Sequence, residues 1–367
     1  MPQEKNIGII GCGAVVEECY AGILRKFERQ HWVRVVALCD PQVTRRERLQ
    51  RIFPRARGYA RHEEMFQGER IDLTIVASPP TFHLPQVLCA LEHESYVFCE
   101  KPMTSTAAAA EQLVLAARSL PHRVAVGMPR RFYPSFVEIA RLVKEEAFGD
   151  QITFCFRDGV PVQWPSASDN LFQREKAGGG VLLDRGSHIL DQLLMIFGAP
   201  KVLSCHDDSL AGGVEANVVM TLSFPHASGV MQASWESIFN NGLSIRGQDL
   251  EAFLDLQDIG AYRLRKANGP WKEIVARQSW PAEVFGTSPR QMQPKDYGEC
   301  FYLQLVAMLR AMTCGDPIPV EAEDGLTVIR CLEEGYRIAQ PLQFGWLDKQ
   351  EQEAIIKRHW RGKQLCA

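Results

Sequence analysis

Short apolar runs recur through the first third of the chain at intervals that fit one helix between neighbours: Asn6 to Ile10, Val33 to Cys39, Leu73 to Ala77, Tyr96 to Cys99 and Arg123 to Val126. The stretches His83 to Glu92 and Thr104 to Ser119 place apolar residues at helical spacing, the second on an alanine-rich background. Parallel strands need a crossover between them, and an intervening helix supplies it. The alternation therefore predicts a doubly wound parallel sheet with helices on both faces. Ligands of such sheets bind beyond the carboxyl ends of the strands, so chemistry is expected in the segments that follow each run.

The first of these segments is GCGAVV. Gly11 and Gly13 permit a tight turn and close backbone approach, and the helix from about Ala14 and Val15 directs its free amides at an anion. This is a dinucleotide fingerprint with one departure, since its last glycine is replaced by Val16. That glycine serves helix-to-strand packing and not phosphate contact. The second run ends in Asp40, at the distance where such folds place the acid that accepts hydrogen bonds from the adenosine ribose. A carboxylate there favours a free 2'-hydroxyl and so predicts NAD over NADP. Arg45, Arg46 and Arg48 follow, either as a solvated basic helix face or as partners for a 2'-phosphate, Arg45 being the foremost candidate.

At 367 residues the chain suits two domains, and 46% hydrophobic with 23% charged residues is a soluble globular composition. A formal net charge of -3 offers no reason to expect nucleic acid or an anionic membrane surface as partner. No signal peptide and no membrane-length apolar run is read. The eleven cysteines are scattered singly, without a C-x-x-C pair, which fits reduced thiols of a cytoplasmic protein and predicts neither a disulfide frame nor a metal site.

After about Gly149 the period changes. Gln151 to Arg157, Lys201 to His206, Glu215 to Phe224, Ser228 to Ser237, Leu243 to Gly247 and Glu251 to Leu256 alternate like strands of an antiparallel or mixed sheet with one covered face. Within this half, AGGGVLLDRGSHILDQLLMIFG combines three consecutive glycines with a largely apolar helix. Asp184, His188 and Asp191 fall there at i, i+4 and i+7, on one stripe of that helix. Burying such groups is costly unless they are paired or used. Tyr297 to Met312 and Gly325 to Ile338 read as helices that pack back on the first domain. The expected division is 1-128, 129-340 and a 341-367 tail.

The closing EKP of the fourth run makes the pattern specific. The chain resembles the glucose-fructose oxidoreductase, inositol dehydrogenase and rhizopine-catabolism (Gfo/Idh/MocA) family through GCGAVV, LCD at Asp40, ASPPTFH at Ala77 to His83, FCEKP, VGMPRRFYP and GGGVLLDRGSHILD. The resemblance implies an N-terminal Rossmann domain, a C-terminal α+β domain with a large, open-faced, mostly antiparallel sheet, and a homo-oligomer. It places Lys101 beside the nicotinamide, with Asp184 and His188 opposite. Glu100 is then expected at the nicotinamide-side ribose, and the Lys101-Pro102 peptide is a candidate for the cis form. Ala77, Ser78, Pro79 and His83 are expected to edge the cofactor site, with helix capping as the other role for His83. Arg130 and Arg131 open the second domain, either in exposed interdomain salt bridges or with one of them, Arg131, at the mouth of the substrate pocket, together with Trp164, which offers an apolar face to a sugar-like ring, and Tyr297. Gln163, Asn170 and Gln173 offer hydrogen bonds.

These residue types suit the oxidation of a secondary alcohol to a ketone, which requires a hydride acceptor and a group that takes the hydroxyl proton. His188 is the expected acid/base, Asp184 one turn away its orienting partner, and Lys101 the group that polarises the oxygen or shares the proton. The implied activity is an NAD(P)-dependent oxidoreductase acting on a sugar, cyclitol or sugar nucleotide. Two other readings stand beside it: redox-neutral elimination or epimerisation through a keto-sugar with recycled NAD, and a non-catalytic NAD-binding regulator on the same fold.

Overall fold

The computed structural model describes residues 4-120, 123-162, 172-210, 213-286, 288-343, 345 and 347-359. Trp164, Gln163 and Asn170 lie outside the described residues.

In the first half, strands β1 (Lys5–Ile10), β2 (Val33–Cys39), β3 (Arg57–Tyr59), β4 (Leu73–Val76), β5 (Tyr96–Glu100) and β6 (Val124–Gly127) alternate with helices α1 (Ala21–Arg29), α2 (Val43–Ile52), α3 (His62–Gly68), α4 (His83–Glu92) and α5 (Ala107–Arg118). The sheet runs β3-β2-β1-β4-β5-β6, with every neighbouring pair parallel. The chain leaves β1 in one direction for β2 and returns to its other side for β4, so a crevice opens between the ends of β1 and β4. Helices cover both faces, and β4 accordingly buries all four of its residues. The Thr106 side chain caps α5 by accepting from the Ala109 amide.

Helix α6 (Pro134–Lys144) opens on a proline at its first turn, where a missing N–H costs nothing, and leads into the second half. There α7 (Arg174–Ala177) and α8 (Ser187–Phe197) lie among strands β7 (Ile152–Gly159), β8 (Lys201–Asp207), β9 (Asn217–Ser223), β10 (Ala227–Ser234), β11 (Gly242–Arg246), β12 (Leu250–Asp255), β13 (Ala261–Lys266) and β14 (Lys272–Val275). A small hairpin of β15 (Trp280–Pro281) and β16 (Gln291–Met292) precedes α9 (Tyr297–Cys314), α10 (Ala322–Ile338), β17 (Gln340–Pro341) and α11 (Lys349–Arg358). The large sheet is ordered β14-β13-β12-β11-β7-β10-β9-β8-β17; β10 pairs with β7 and β17 with β8 in parallel, and the remaining pairs are antiparallel. In β9 buried and half-buried residues alternate, as expected of a sheet covered more completely on one face.

Helix α10 packs against α5 of the first half and against α8 and β8 of the second. The Val126 amide donates to the Val320 carbonyl at 3.0 Å just before it, which fastens the two halves at the backbone level. The described cysteines are all free thiols. Among the described residues no helix is long and apolar enough to cross a membrane.

Candidate active site

The loop after β1 is shaped by close approach. Gly11 has φ +91°, and a Cβ there would lie 2.5 Å from the Ala77 carbonyl carbon and the Ser78 nitrogen at the end of β4. Gly13, by contrast, has open space where a Cβ would be, with nothing within 4 Å. Val16, in place of the third glycine, is fully buried, and the helix forms a π turn at Val16–Tyr20 before continuing as α1. Asp40 is buried at the end of β2; its carboxylate accepts from the Cys12 amide at 3.0 Å and the Gln42 amide at 2.8 Å. Arg45 Nη1 stands 3.8 Å from the same carboxylate, and the Arg46 guanidinium donates to the Asp40 carbonyl.

A cleft of about 510 Å³ lies between the two halves, with Val15, Ala77, Ser78, Glu100 and Lys101 on one wall and Arg130, Asp184, Arg185, His188 and Trp235 on the other. Tyr297 and Phe301 of α9 also line it. Glu100 accepts from the Tyr20 hydroxyl and, at 3.1 Å, from the Lys101 amide. Burial pushes its carboxyl above the usual range, against the opposing effect of these bonds and of the Lys101 charge. The Lys101–Pro102 peptide is cis.

Lys101 Nζ donates to Asp184 Oδ1 at 2.7 Å and to the Asp184 carbonyl at 3.2 Å. The other carboxylate oxygen accepts from Trp235 Nε1 at 3.2 Å. Desolvation alone would raise the Asp184 pKa, but the Lys101 ammonium, together with Arg185 and the Trp235 N–H, outweighs it and holds the carboxyl below its ordinary value. His188 is 6% exposed and, among the described residues, its buried Nδ1 has no hydrogen-bond partner. Burial, and after it the positive charges of Lys101, Arg130 and Arg185, hold the imidazole well below its usual pKa and therefore neutral at pH 7.

The expected pairing of Asp184 with His188 is thus replaced by a pairing with Lys101. The helix that carries both residues begins with a second π turn, at Leu182–Gly186. Asp191 leaves the stripe as well, because Arg131 grips it in a bidentate contact at 2.8 and 2.7 Å and reaches Asp324 at 3.2 Å. Held in this way, Arg131 does not line the cleft, whereas its neighbour Arg130 does. His83 is also absent from the cleft wall. It is fully buried under α4, with Nε2 2.7 Å from the Ser78 carbonyl, and it braces the loop after β4.

Trp235 and Arg185 were not singled out from the sequence. A signal existed for Trp235, which shares strand parity with buried Met231 and Ala233 and so faces the covered side at the end of β10. The three glycines have a specific partner in Glu215. A Cβ on Gly180 would lie 2.1 Å from the Glu215 carbonyl oxygen, and one on Gly179 would lie 2.0 Å from the Tyr336 hydroxyl. Glu215 Oε1 accepts from the amides of Gly180 at 2.9 Å and Leu182 at 3.0 Å and from the Tyr336 hydroxyl at 2.8 Å, anchoring the start of the helix that carries Asp184 and His188.

Residues 5–128 match the model of an oxidoreductase family with an NAD-binding Rossmann fold (GFO_IDH_MocA), and residues 136–251 match the GFO/IDH/MocA C-terminal domain. The chain is 26% identical over 349 residues to scyllo-inositol 2-dehydrogenase (NADP(+)) IolW of Bacillus subtilis, covering 89% of this chain and 92% of that one. Its fold is that of levoglucosan dehydrogenase, solved in complex with NADH and levoglucosan (TM-score 0.74, 17% identity, 91% and 97% of the two chains). It is equally that of an aldose-aldose oxidoreductase from Caulobacter crescentus (TM-score 0.73, 23% identity, 91% and 97%).

Proposed function

The chain belongs to the Gfo/Idh/MocA oxidoreductase family, and on that premise we propose that it interconverts a secondary alcohol and a ketone on a polyhydroxylated ring, using a nicotinamide dinucleotide. The observation that carries this reading is the ion pair across the cleft, Lys101 Nζ to Asp184 Oδ1 at 2.7 Å, with the neutral imidazole of His188 on the same wall as Asp184.

The strand-end loops fit such a cofactor. Gly13 leaves open space that a side chain would fill, the amides at the start of the first helix suit a pyrophosphate, and Glu100 and Ser78 line the cleft beyond. When bound, the nicotinamide accepts or returns the hydride. His188, kept neutral by burial and by three neighbouring cations, takes the hydroxyl proton during oxidation and returns it during reduction. Lys101 donates a hydrogen bond to the same oxygen, and Asp184 holds the ammonium in place while Trp235 holds Asp184. NAD is the proposed cofactor, supported by the buried Asp40 carboxylate where a 2'-phosphate would need a cation. Tighter binding of NADP than NAD in a calorimetric titration would overturn that choice.

Screening cyclitols, sugars and nucleotide sugars for formation of reduced cofactor tests the reaction. Turnover with accumulating NADH supports net oxidation, whereas product without NADH supports the redox-neutral alternative. Absence of any reaction across the panel, with cofactor bound, would favour a regulator.

A further inference from the structure

Behind the substrate wall of the cleft, two guanidinium groups share a single carboxylate. Asp158, at the end of β7, is 2% exposed and faces two guanidinium groups: Arg130 Nη2 donates to its Oδ2 at 2.6 Å and Arg185 Nη1 to its Oδ1 at 2.6 Å. One carboxylate therefore serves two cations. Nε and Nη1 of Arg130 and Nε of Arg185 have no partner among the described residues. Asp184 does not make up the deficit, since its two oxygens are taken by Lys101 and Trp235. Glu100 lies on the opposite wall, turned to the Tyr20 hydroxyl and the Lys101 amide. Three cations and three carboxylates meet around the cleft, but Lys101 lies against two of the carboxylates, Glu100 and Asp184, and the Arg130–Asp158–Arg185 group by itself retains one positive charge.

A buried cation without a counter-ion is expensive, and it is retained where a ligand supplies the missing charge. Arg185 borders the cleft with its side chain 21% exposed, next in sequence to Asp184. A planar guanidinium matches a carboxylate in shape, and a single excess charge matches a monoanion better than a phosphate monoester, which carries nearly two. We propose that Arg185, backed by Arg130 through Asp158, is a carboxylate subsite, and that the substrate is a polyhydroxylated ring or chain bearing one carboxylate, of the uronic or aldonic acid class. This deepens the proposed function and rests on it for the reaction, though not for the binding.

The test uses the full chain saturated with NAD and, in parallel, NADP. Glucuronate and galacturonate are compared with their methyl esters, with glucose and galactose, and with the corresponding 6-phosphates, by kcat/KM and by calorimetry. The acids should exceed their esters by about 100-fold in kcat/KM, in line with a lost charge-assisted hydrogen bond. Arg185→Gln should cut that ratio by about 10-fold or more, and Arg185→Lys, which keeps the charge, should restore part of it. Circular dichroism confirms that each variant folds. Esters or neutral sugars turned over as well as acids, a preference for the phosphates, or an acid-to-ester ratio unchanged in Arg185→Gln would each overturn the subsite and leave the redox reading standing. Arg185-dependent binding of an acid without turnover would uphold the subsite and sink the redox reading; no binding and no turnover would sink both.

Discussion

Lys101 and Asp184 are 83 positions apart and come from different halves of the chain, yet the ammonium of one lies 2.7 Å from the carboxylate of the other. Neither half of the molecule holds this pair alone. On the proposed function, replacing Lys101 with Ala removes the donor to the reacting oxygen and leaves the fingerprint loop untouched. Turnover should fall by about 100-fold or more while the cofactor dissociation constant changes only slightly. Steady-state rates and a cofactor titration check this, and unaltered turnover would refute the role given to Lys101.

His188 is neutral well below pH 6.5 because it is buried among cations. A general base works only when deprotonated, so kcat/KM for oxidation should be level near neutrality and decline on the acid side, with an apparent pKa below 6.5. The same depression bears on stability. The unfolded chain takes up the proton first, so His188 adds stability above pH 6.5 that is lost as pH falls toward its folded pKa. His188→Asn should lower turnover by about 100-fold to 10,000-fold and remove that limb of the profile. An acid limb that survives the substitution would assign the proton to another group.

The glycines separate packing from ligand binding. Gly11→Ala would force a methyl to 2.5 Å from the Ala77 carbonyl carbon at φ +91°, and should destabilise the fold by about 1–3 kcal/mol. Gly13→Ala meets no protein atom within 4 Å, so its melting temperature should stay within about a degree or two of the parent while cofactor affinity drops. Thermal melts with and without cofactor measure both. Equal melting losses in the two variants would contradict this division.

Glu215 is fully buried and anchors the amides of Gly180 and Leu182 together with the Tyr336 hydroxyl. Glu215→Ala takes this acceptor away from all three donors and should cost about 3 kcal/mol or more, read as a lower denaturant midpoint. Glu215→Gln keeps a carbonyl oxygen and should lose less. Because the helix it anchors bears Asp184 and His188, kcat should fall in the alanine variant even under conditions where it remains folded.

The first sheet was legible because parallel strands covered on both faces must be apolar runs, and β2 and α4 fall at the residues expected from apolar patterning alone. Strand β3 and helix α3 were not, since a three-residue strand with two exposed positions carries no apolar signal. The EKP and D-x-x-x-H motifs located Lys101, Asp184 and His188 in one cleft. Their partners were hidden for separate reasons. Helical spacing assigned Asp184 to His188, whereas its partner is Lys101, from a part of the chain that helical spacing says nothing about. Nothing in the adjacent pair Arg130 and Arg131 says which one turns to the cleft; Asp191 and Asp324 decide it by holding Arg131. His83 looked like a cleft residue because it follows a strand end, but burial makes it a brace.

Each half of the protein sends a helix into the crevice, and each of those helices carries a π turn near its start, at Val16–Tyr20 and at Leu182–Gly186. A turn of this kind amounts to one surplus residue in an otherwise regular coil, and every side chain beyond it is rotated by that one step. Trimming a single residue from either place would yield a more ideal coil and swing Tyr20 away from Glu100, or His188 away from the crevice. Irregularity of this sort decides where the side chains beyond it aim, at the expense of helical regularity.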